Sequence, residues 1–100
     1  MQQPLRVTRT QALTCTTSAQ QVSATSVVVR QAFFKARATN SGIVKLLGWN
    51  AGATTPAADA DGITLAAGQF LPAPAWIADL NQVAYMSSTN GDVLEVMYSL

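Results

Sequence analysis

The chain alternates short apolar segments with clusters of Ser, Thr, Asn, Gly and Pro. From Leu13 onward these segments have the spacing of β-strands and are too short for a helical protein. The clearest segment is residues 27–39, where a β-branched start leads into apolar and polar side chains that alternate with a period of two. This alternation predicts a strand, and its change of phase predicts a bulge or a change of sheet near Gln31.

Two turn signals predict hairpins. Asn40-Ser41-Gly42 follows the first strand and offers residues suited to a positive φ, so residues 43–49 are expected to return as its partner. Thr89-Asn90-Gly91-Asp92 separates residues 83–87 from residues 93–100, and Asn-Gly between alternating runs is a strong hairpin signal. In the last strand we expect the side chains on one phase to face inward, namely Leu94, Val96 and Tyr98.

The middle of the chain contains the longest predicted loop. Residues 50–62 are rich in Gly, Ala, Thr, Pro and Asp without any period, which makes them a candidate contact surface. Residues 63–66 are predicted to form a short strand, followed by a turn at Ala67-Gly68. Residues 69–76 are extended, and because Pro72 and Pro74 lack the amide proton that a ladder needs, this segment is expected at the edge of a sheet.

Together these segments give about six to eight short strands, which predict an all-β fold: an antiparallel β-sandwich or a small barrel. The spacing does not decide between the two. Helix competes only at residues 31–38, where the neighbouring valines and the Asn-Ser-Gly turn argue against it. We expect one domain over residues 11–100, preceded by an extended N-terminal arm at residues 1–10, where no strong period is present.

The composition changes the picture of the surface. The chain is 49% hydrophobic and only 11% charged, against a typical charged share of about 25%. Its net charge of +1 favours association in solution, and its six basic residues are scattered, so nucleic acid is not an expected partner. The polar N-terminus and the lack of any apolar run of about 18 residues predict neither a signal peptide nor a membrane span.

The candidate chemistry is sparse. No histidine is present, which removes the commonest general base and metal ligand, and the few carboxylates stand mainly beside Gly or in turns. Asp59-Ala60-Asp61-Gly62 resembles the start of a calcium loop, but no bidentate Glu follows, so an ordinary turn is favoured. Cys15 is the single cysteine and is expected to be a small buried hydrophobe. We therefore predict no enzyme activity, cofactor or metal.

The two tryptophans, Trp49 and Trp76, each flank a loop or the proline-interrupted edge. Packing in the core or at its rim is the favoured interpretation. Anchoring of a protein partner is the next alternative, and stacking on a sugar ring is the third, because a sugar site also needs convergent polar groups.

Three segments resemble small structural proteins of tailed bacteriophages. Residues 34–44 read Phe-Lys-Ala-Arg-Ala-Thr-Asn-Ser-Gly-Ile-Val, which is similar to a strand of the form Ala-x-x-Thr-Asn-x-Gly that turns into a second strand. Residues 61–69 are similar to the Gly-x-x-Leu-x-x-Gly-Glu/Gln step of these proteins, and residues 90–96 continue the likeness. The resemblance covers most of the chain after residue 20.

This resemblance implies a β-sandwich of the head decoration, or cement, type. Such a protein would be made in the host cytoplasm and would bind the major capsid protein on the capsid surface of the virion. It would form homo-oligomers, of which the trimer is the expected form. The alternative is a tail or fibre module that recognises a host-surface glycan or protein. The candidate partner-binding residues are Gln2, Gln3, Pro4, Leu5, Arg6, Val7, Trp49, Phe70 and Trp76.

Overall fold

The computed structural model describes residues 8–48, 62–73 and 77–100. In this part of the chain eight β-strands and one short 3-10 helix, Leu80–Gln82, follow one another. The strands are β1 (Thr8–Thr14), β2 (Gln20–Gln21), β3 (Gln31–Ala36), β4 (Val44–Gly48), β5 (Ile63–Leu65), β6 (Phe70–Pro72), β7 (Val83–Ser87) and β8 (Val93–Ser99). The 3-10 helix falls far short of the length of a membrane span, and the described ranges contain no other candidate for one.

The strands form two four-stranded antiparallel sheets, ordered β1-β8-β3-β6 and β2-β7-β4-β5. This order is that of an eight-stranded jelly roll, in which two Greek keys build a double-layered sandwich. The predicted all-β fold is therefore confirmed, and between the two architectures left open by the sequence the chain adopts the sandwich.

The core lies between the sheets and is built from alternate strand positions. On β8 the predicted inward residues Leu94, Val96 and Tyr98 are at most 5% exposed. On β3 Phe34 is 1% exposed. Leu80 of the 3-10 helix is also 1% exposed and belongs to the same core cluster. Burying an aliphatic or aromatic side chain of this size contributes roughly 1.5–3 kcal/mol, so these positions supply much of the driving force for folding.

Both predicted hairpins are wrong. Asn40-Ser41-Gly42 leads from β3 in one sheet to β4 in the other, and the segment from Ser88 to Asp92 likewise leads from β7 to β8 across the sandwich. The strands on either side of these turns face each other through the core and pair elsewhere; β3 pairs with β8 instead. An Asn-Gly signal reports a tight reversal of the backbone, and a reversal also suits a corner between two layers.

The start of β3 differs from the predicted strand over residues 27–39. Val28 makes only an isolated bridge to Asp79, and the next amide, of Val29, donates to the carbonyl of Ala78. Arg30 then donates to the carbonyl of Ser99 on β8, and β3 begins at Gln31. The chain thus passes from an isolated bridge into β3 near Gln31, where the sequence predicted a bulge or a change of sheet, and the valines lie before the strand.

The edges of the β1-β8-β3-β6 sheet are β1 and β6. The predicted edge position of the segment around Pro72 is confirmed, because Phe70–Pro72 pairs with β3 on one side only. β1 begins at Thr8, so residues 8–10 of the predicted arm belong to the sandwich, where each pairs with β8. Their Thr and Arg side chains give no burial signal in the sequence. Residues 1–7 of the predicted arm and residues 50–61 of the predicted loop lie outside the described residues.

Candidate interaction surface

The outer face of the β1-β8-β3-β6 sheet carries a large apolar surface. Strand alternation buries Phe34 and Val96, and it therefore turns their neighbours Phe33 and Met97 outward. Phe33 and Met97 stand opposite each other in the ladder between β3 and β8. Met97 is 48% exposed, and Phe70, at the β6 edge of the same sheet, is 65% exposed. We call this surface the outer face.

A groove of about 330 Å³ runs over the outer face. It is lined mainly by Thr10, Phe33, Lys35, Phe70, Glu95 and Met97. A second, smaller groove of about 180 Å³ is continuous with it, since Phe33 and Met97 line both. Contiguous exposed apolar surface on a small domain marks an interaction site more often than isolated exposed residues do.

The charges of the outer face lie beside its apolar centre. Lys35 on β3 stands opposite Glu95 on β8, and Arg37 Nη2 lies 3.8 Å from Glu95 Oε2. The Arg37 and Glu95 side chains are 41% and 35% exposed, so water screens this ion pair and its contribution to stability is at most about 1 kcal/mol. The pair instead gives the outer face a patch of both signs.

A carboxylate network holds two corners of the sandwich together. Asp92 is 4% exposed, and its carboxylate accepts hydrogen bonds from the Ser87 hydroxyl at 2.7 Å and from the amides of Ser41 and Gly42 at 3.0 and 2.9 Å. The Ser87 hydroxyl and then the two amides lower the pKa of Asp92 against the opposing effect of desolvation. Asn40 adds a pair of hydrogen bonds to the backbone of Val93, at 2.8 and 2.9 Å. These bonds make Asp92 a structural carboxylate.

Asp79 also has a structural role, at the start of the 3-10 helix. It caps the 3-10 helix, with its carboxylate accepting from the amide of Asn81, and Gln82 completes the capping box. The same carboxylate accepts from the amide of Val27 at 2.9 Å and from the hydroxyl of Ser26. Desolvation opposes its ionisation, but these hydrogen bonds outweigh it and the pKa of Asp79 is lowered. The carboxylate thus orders the chain before β3.

Cys15 is fully buried, as the sequence predicted. Desolvation, followed by the negative charge of Asp92, raises the pKa of its thiol to about 11. A buried thiol that stays protonated at neutral pH is a poor nucleophile and a poor partner for disulfide exchange. Among the described residues, no group of three or more His, Cys, Asp or Glu side chains could hold a metal ion.

Of the predicted partner-binding residues, the structure places Phe70 on the outer face. The others, Gln2, Gln3, Pro4, Leu5, Arg6, Val7, Trp49 and Trp76, lie outside the described residues, as do Asp59 and Asp61 of the partial calcium loop. Sequence reasoning missed Phe33 and Met97. Both are large apolar residues at outward-facing positions of strands whose inward-facing positions are also apolar, and this feature of the sequence could have identified them.

Comparisons with known proteins bear on the fold. No protein-family model matches the chain, and no curated protein matches it. A solved structure described by the words "Bacillus endospore appendages form a novel family of disulfide-linked pili" matches over 96% of this chain and 88% of its own, with a TM-score of 0.54 and 12% sequence identity. At this identity the likeness shows a shared fold alone: the chain is similar in architecture to this pilus protein.

Proposed function

We propose that this chain is a non-enzymatic structural subunit that assembles with copies of itself and with a larger particle. The observation that carries the proposal is the outer face, where Phe33, Phe70 and Met97 expose apolar surface around a groove of about 330 Å³. Because only 11% of the residues are charged, electrostatic repulsion does little to prevent this apolar surface from associating with other proteins.

The specific form that we propose is a capsid decoration protein of a tailed bacteriophage. It is supported by the resemblance of residues 34–44, 61–69 and 90–96 to small phage structural proteins. In this role the chain binds the major capsid protein and bridges neighbouring shell subunits on the virion surface. Each contact made only with the assembled shell stabilises that shell by mass action.

A second candidate is a subunit of a surface filament, favoured by the likeness to the pilus structure. That structure is described as disulfide-linked, whereas the single cysteine of this chain is buried and its thiol is protonated at neutral pH. A filament built from this chain would therefore have to be held by non-covalent contacts.

Quantitative mass spectrometry of purified particles tests these roles. Phage particles and surface filaments would be purified from cells that encode the chain, and its copy number compared with that of the most abundant subunit in each. A ratio near parity with the major capsid protein, or a simple fraction of it, supports decoration. A ratio far below it points to the tail or fibre, enrichment in filaments supports the second candidate, and absence from both fractions contradicts the proposal.

A further inference from the structure

The residues of the outer face form two rows that cross all four strands. In the order β1, β8, β3, β6, the first row is Thr10, Met97, Phe33 and Pro72. The second row, in the same order, is Ala12, Glu95, Lys35 and Phe70. Each row places a chemically complementary pair on the two central strands, a thioether beside an aromatic ring in one and a carboxylate beside an ammonium group in the other.

From these rows we infer that the outer face binds a second copy of this chain, about a two-fold axis that runs along the strands between β3 and β8. This inference deepens the proposed assembly role and rests on it, because it names the surface that assembles. A two-fold axis in this position exchanges β3 with β8 and β1 with β6. Within each row, the residue on β3 therefore faces the β8 residue of the second copy, and the residue on β1 faces the β6 residue of the second copy.

The contacts that this axis creates are favourable in both rows. Phe33 lies over the second copy's Met97, and sulfur–aromatic contacts are attractive. Lys35 lies over the second copy's Glu95, so two ion pairs form across the interface. At the sides, the 65% exposed ring of Phe70 lies over the small side chain of Ala12. Symmetry makes each of these contacts twice.

Two other two-fold arrangements of the same face are unfavourable. An axis across the strands between the two rows would place Phe33 over Lys35 and Met97 over Glu95, which buries charges against apolar groups. An axis across the strands through the second row would place Lys35 over Lys35 and Glu95 over Glu95, and like charges in contact disfavour association. Charge complementarity therefore favours the axis along the strands over these two, and it is the axis that pairs Lys35 with Glu95.

The outer face is smaller than a typical stable interface. Four strands about 4.8 Å apart, each up to about seven residues long, cover roughly 450 Å² per copy, or roughly 900 Å² in total. Specific stable interfaces bury about 1,200–2,000 Å², so we expect a dimer that dissociates in the micromolar range. The trimers implied by the phage resemblance would need two unlike patches on each copy, whereas this face is complementary to itself.

Charge exchange on the isolated chain tests the inference. Lys35→Glu and Glu95→Lys each place like charges against each other at both symmetric positions, and each should weaken the dimer about tenfold or more in sedimentation velocity over a concentration series. In a heterodimer of the two single variants, positions 35 and 95 of one copy carry charges opposite to those of the residues that they face in the other copy. The mixture should therefore dimerise more strongly than either variant alone, an effect that repulsion within one chain cannot produce.

Phe70→Ala should also weaken the dimer, and Ile63→Ala is its matched control, since Ile63 is 48% exposed on the opposite sheet. Circular dichroism and melting temperatures would establish that each variant is folded. A wild-type chain that stays monomeric up to about 0.5 mM, or a mixture that associates no better than its components, would overturn the inference. Neither result would affect the copy number of the chain in particles, so the two proposals fail separately.

Discussion

The carboxylate of Asp92 accepts a hydrogen bond of 2.7 Å from the hydroxyl of Ser87. This bond joins the end of β7 to the residue that precedes β8 in the opposite sheet. The same carboxylate binds the amides of Ser41 and Gly42, which lie on the other crossing between the sheets. One buried carboxylate thus fixes two corners of the sandwich, and its ionisation should control their stability.

The stability of the chain should fall in acid because of Asp92. Its pKa is lower in the folded chain than the ordinary value of about 3.9 in an unfolded one, so the unfolded chain takes up protons first as the pH falls. The stabilisation is complete at neutral pH and is lost progressively below about pH 4. Urea unfolding at a series of pH values would measure this, and Asp92→Asn should lower stability at neutral pH and flatten the decline.

Asp79 provides the comparison for that experiment. Its pKa is also lowered, by hydrogen bonds from Ser26, Asn81 and Val27 that outweigh desolvation, so it contributes to the acid response with the same sign. Asp79→Asn should leave part of the decline in place, and the double variant should remove most of it. An acid response that is unchanged in both single variants would show that other groups cause it.

Neighbouring phenylalanines on β3 should differ sharply in their contribution to stability. Phe34 is 1% exposed, and Phe34→Ala should lower the free energy of unfolding by about 3–5 kcal/mol through lost burial and the cavity left behind. Phe33→Ala, on the half-buried outward phase, should cost less than half as much. Chemical denaturation of the two variants measures both values, and equal losses would contradict the assignment of the two faces.

The sequence predicts such facing correctly where one phase of a strand is apolar and the other is not. On β8 the alternation around Glu95 identified Leu94, Val96 and Tyr98 as core residues, and all three are buried. The same reasoning missed Met97, because a single apolar residue at an outward-facing position only weakens the alternation of apolar and polar residues and does not by itself indicate a surface. Only the placement of β8 beside β3 shows that Met97 and Phe33 form one surface.

The connections between strands could not be predicted from local signals. Turn residues specify the backbone angles of a reversal, as Gly91 does with a φ of 92°. Whether the next strand pairs with the previous one or crosses to the other layer depends on contacts between segments far apart in sequence. Here the bonds of Asp92 to Ser41 and Gly42 span about fifty residues, and no pattern within one turn reveals them.

Cys15 should be unreactive in the folded chain. It is fully buried and its thiol pKa is raised to about 11, so a thiol reagent at neutral pH should modify it only as fast as the chain unfolds. Guanidinium chloride should expose it to rapid modification. Non-reducing gels should show the assembled chain as a monomer; disulfide-linked multimers would indicate that Cys15 becomes accessible and would favour covalent assembly.

Gly42 should be far less replaceable than Gly68 or Gly91, where an added Cβ would have nothing within 4 Å. A Cβ at Gly42 would lie nearest to Ser88 Oγ, then 2.6 Å from Thr89 Oγ1 and 2.9 Å from Asp92 Oδ2. The Thr89 and Ser88 hydroxyls can rotate away, the second by giving up its bond from the Ile43 amide, but Asp92 is held by several hydrogen bonds, so Gly42→Ala should displace the carboxylate. At Gly68, with a φ of 83° and open space around a Cβ, Ala should cost only the strain of the left-handed backbone, about 1 kcal/mol.

Thermal and urea unfolding of both glycine variants would separate these effects. If the carboxylate is displaced, Gly42→Ala should lower stability at neutral pH and also weaken the acid response described for Asp92, because the hydrogen bonds that lower its pKa would be lost. Gly68→Ala should lower stability equally at all pH values, since an added Cβ would have no heavy atom within 4 Å. A Gly42→Ala variant with the full acid response of the wild type would mean that the corner accommodates a methyl group without moving Asp92.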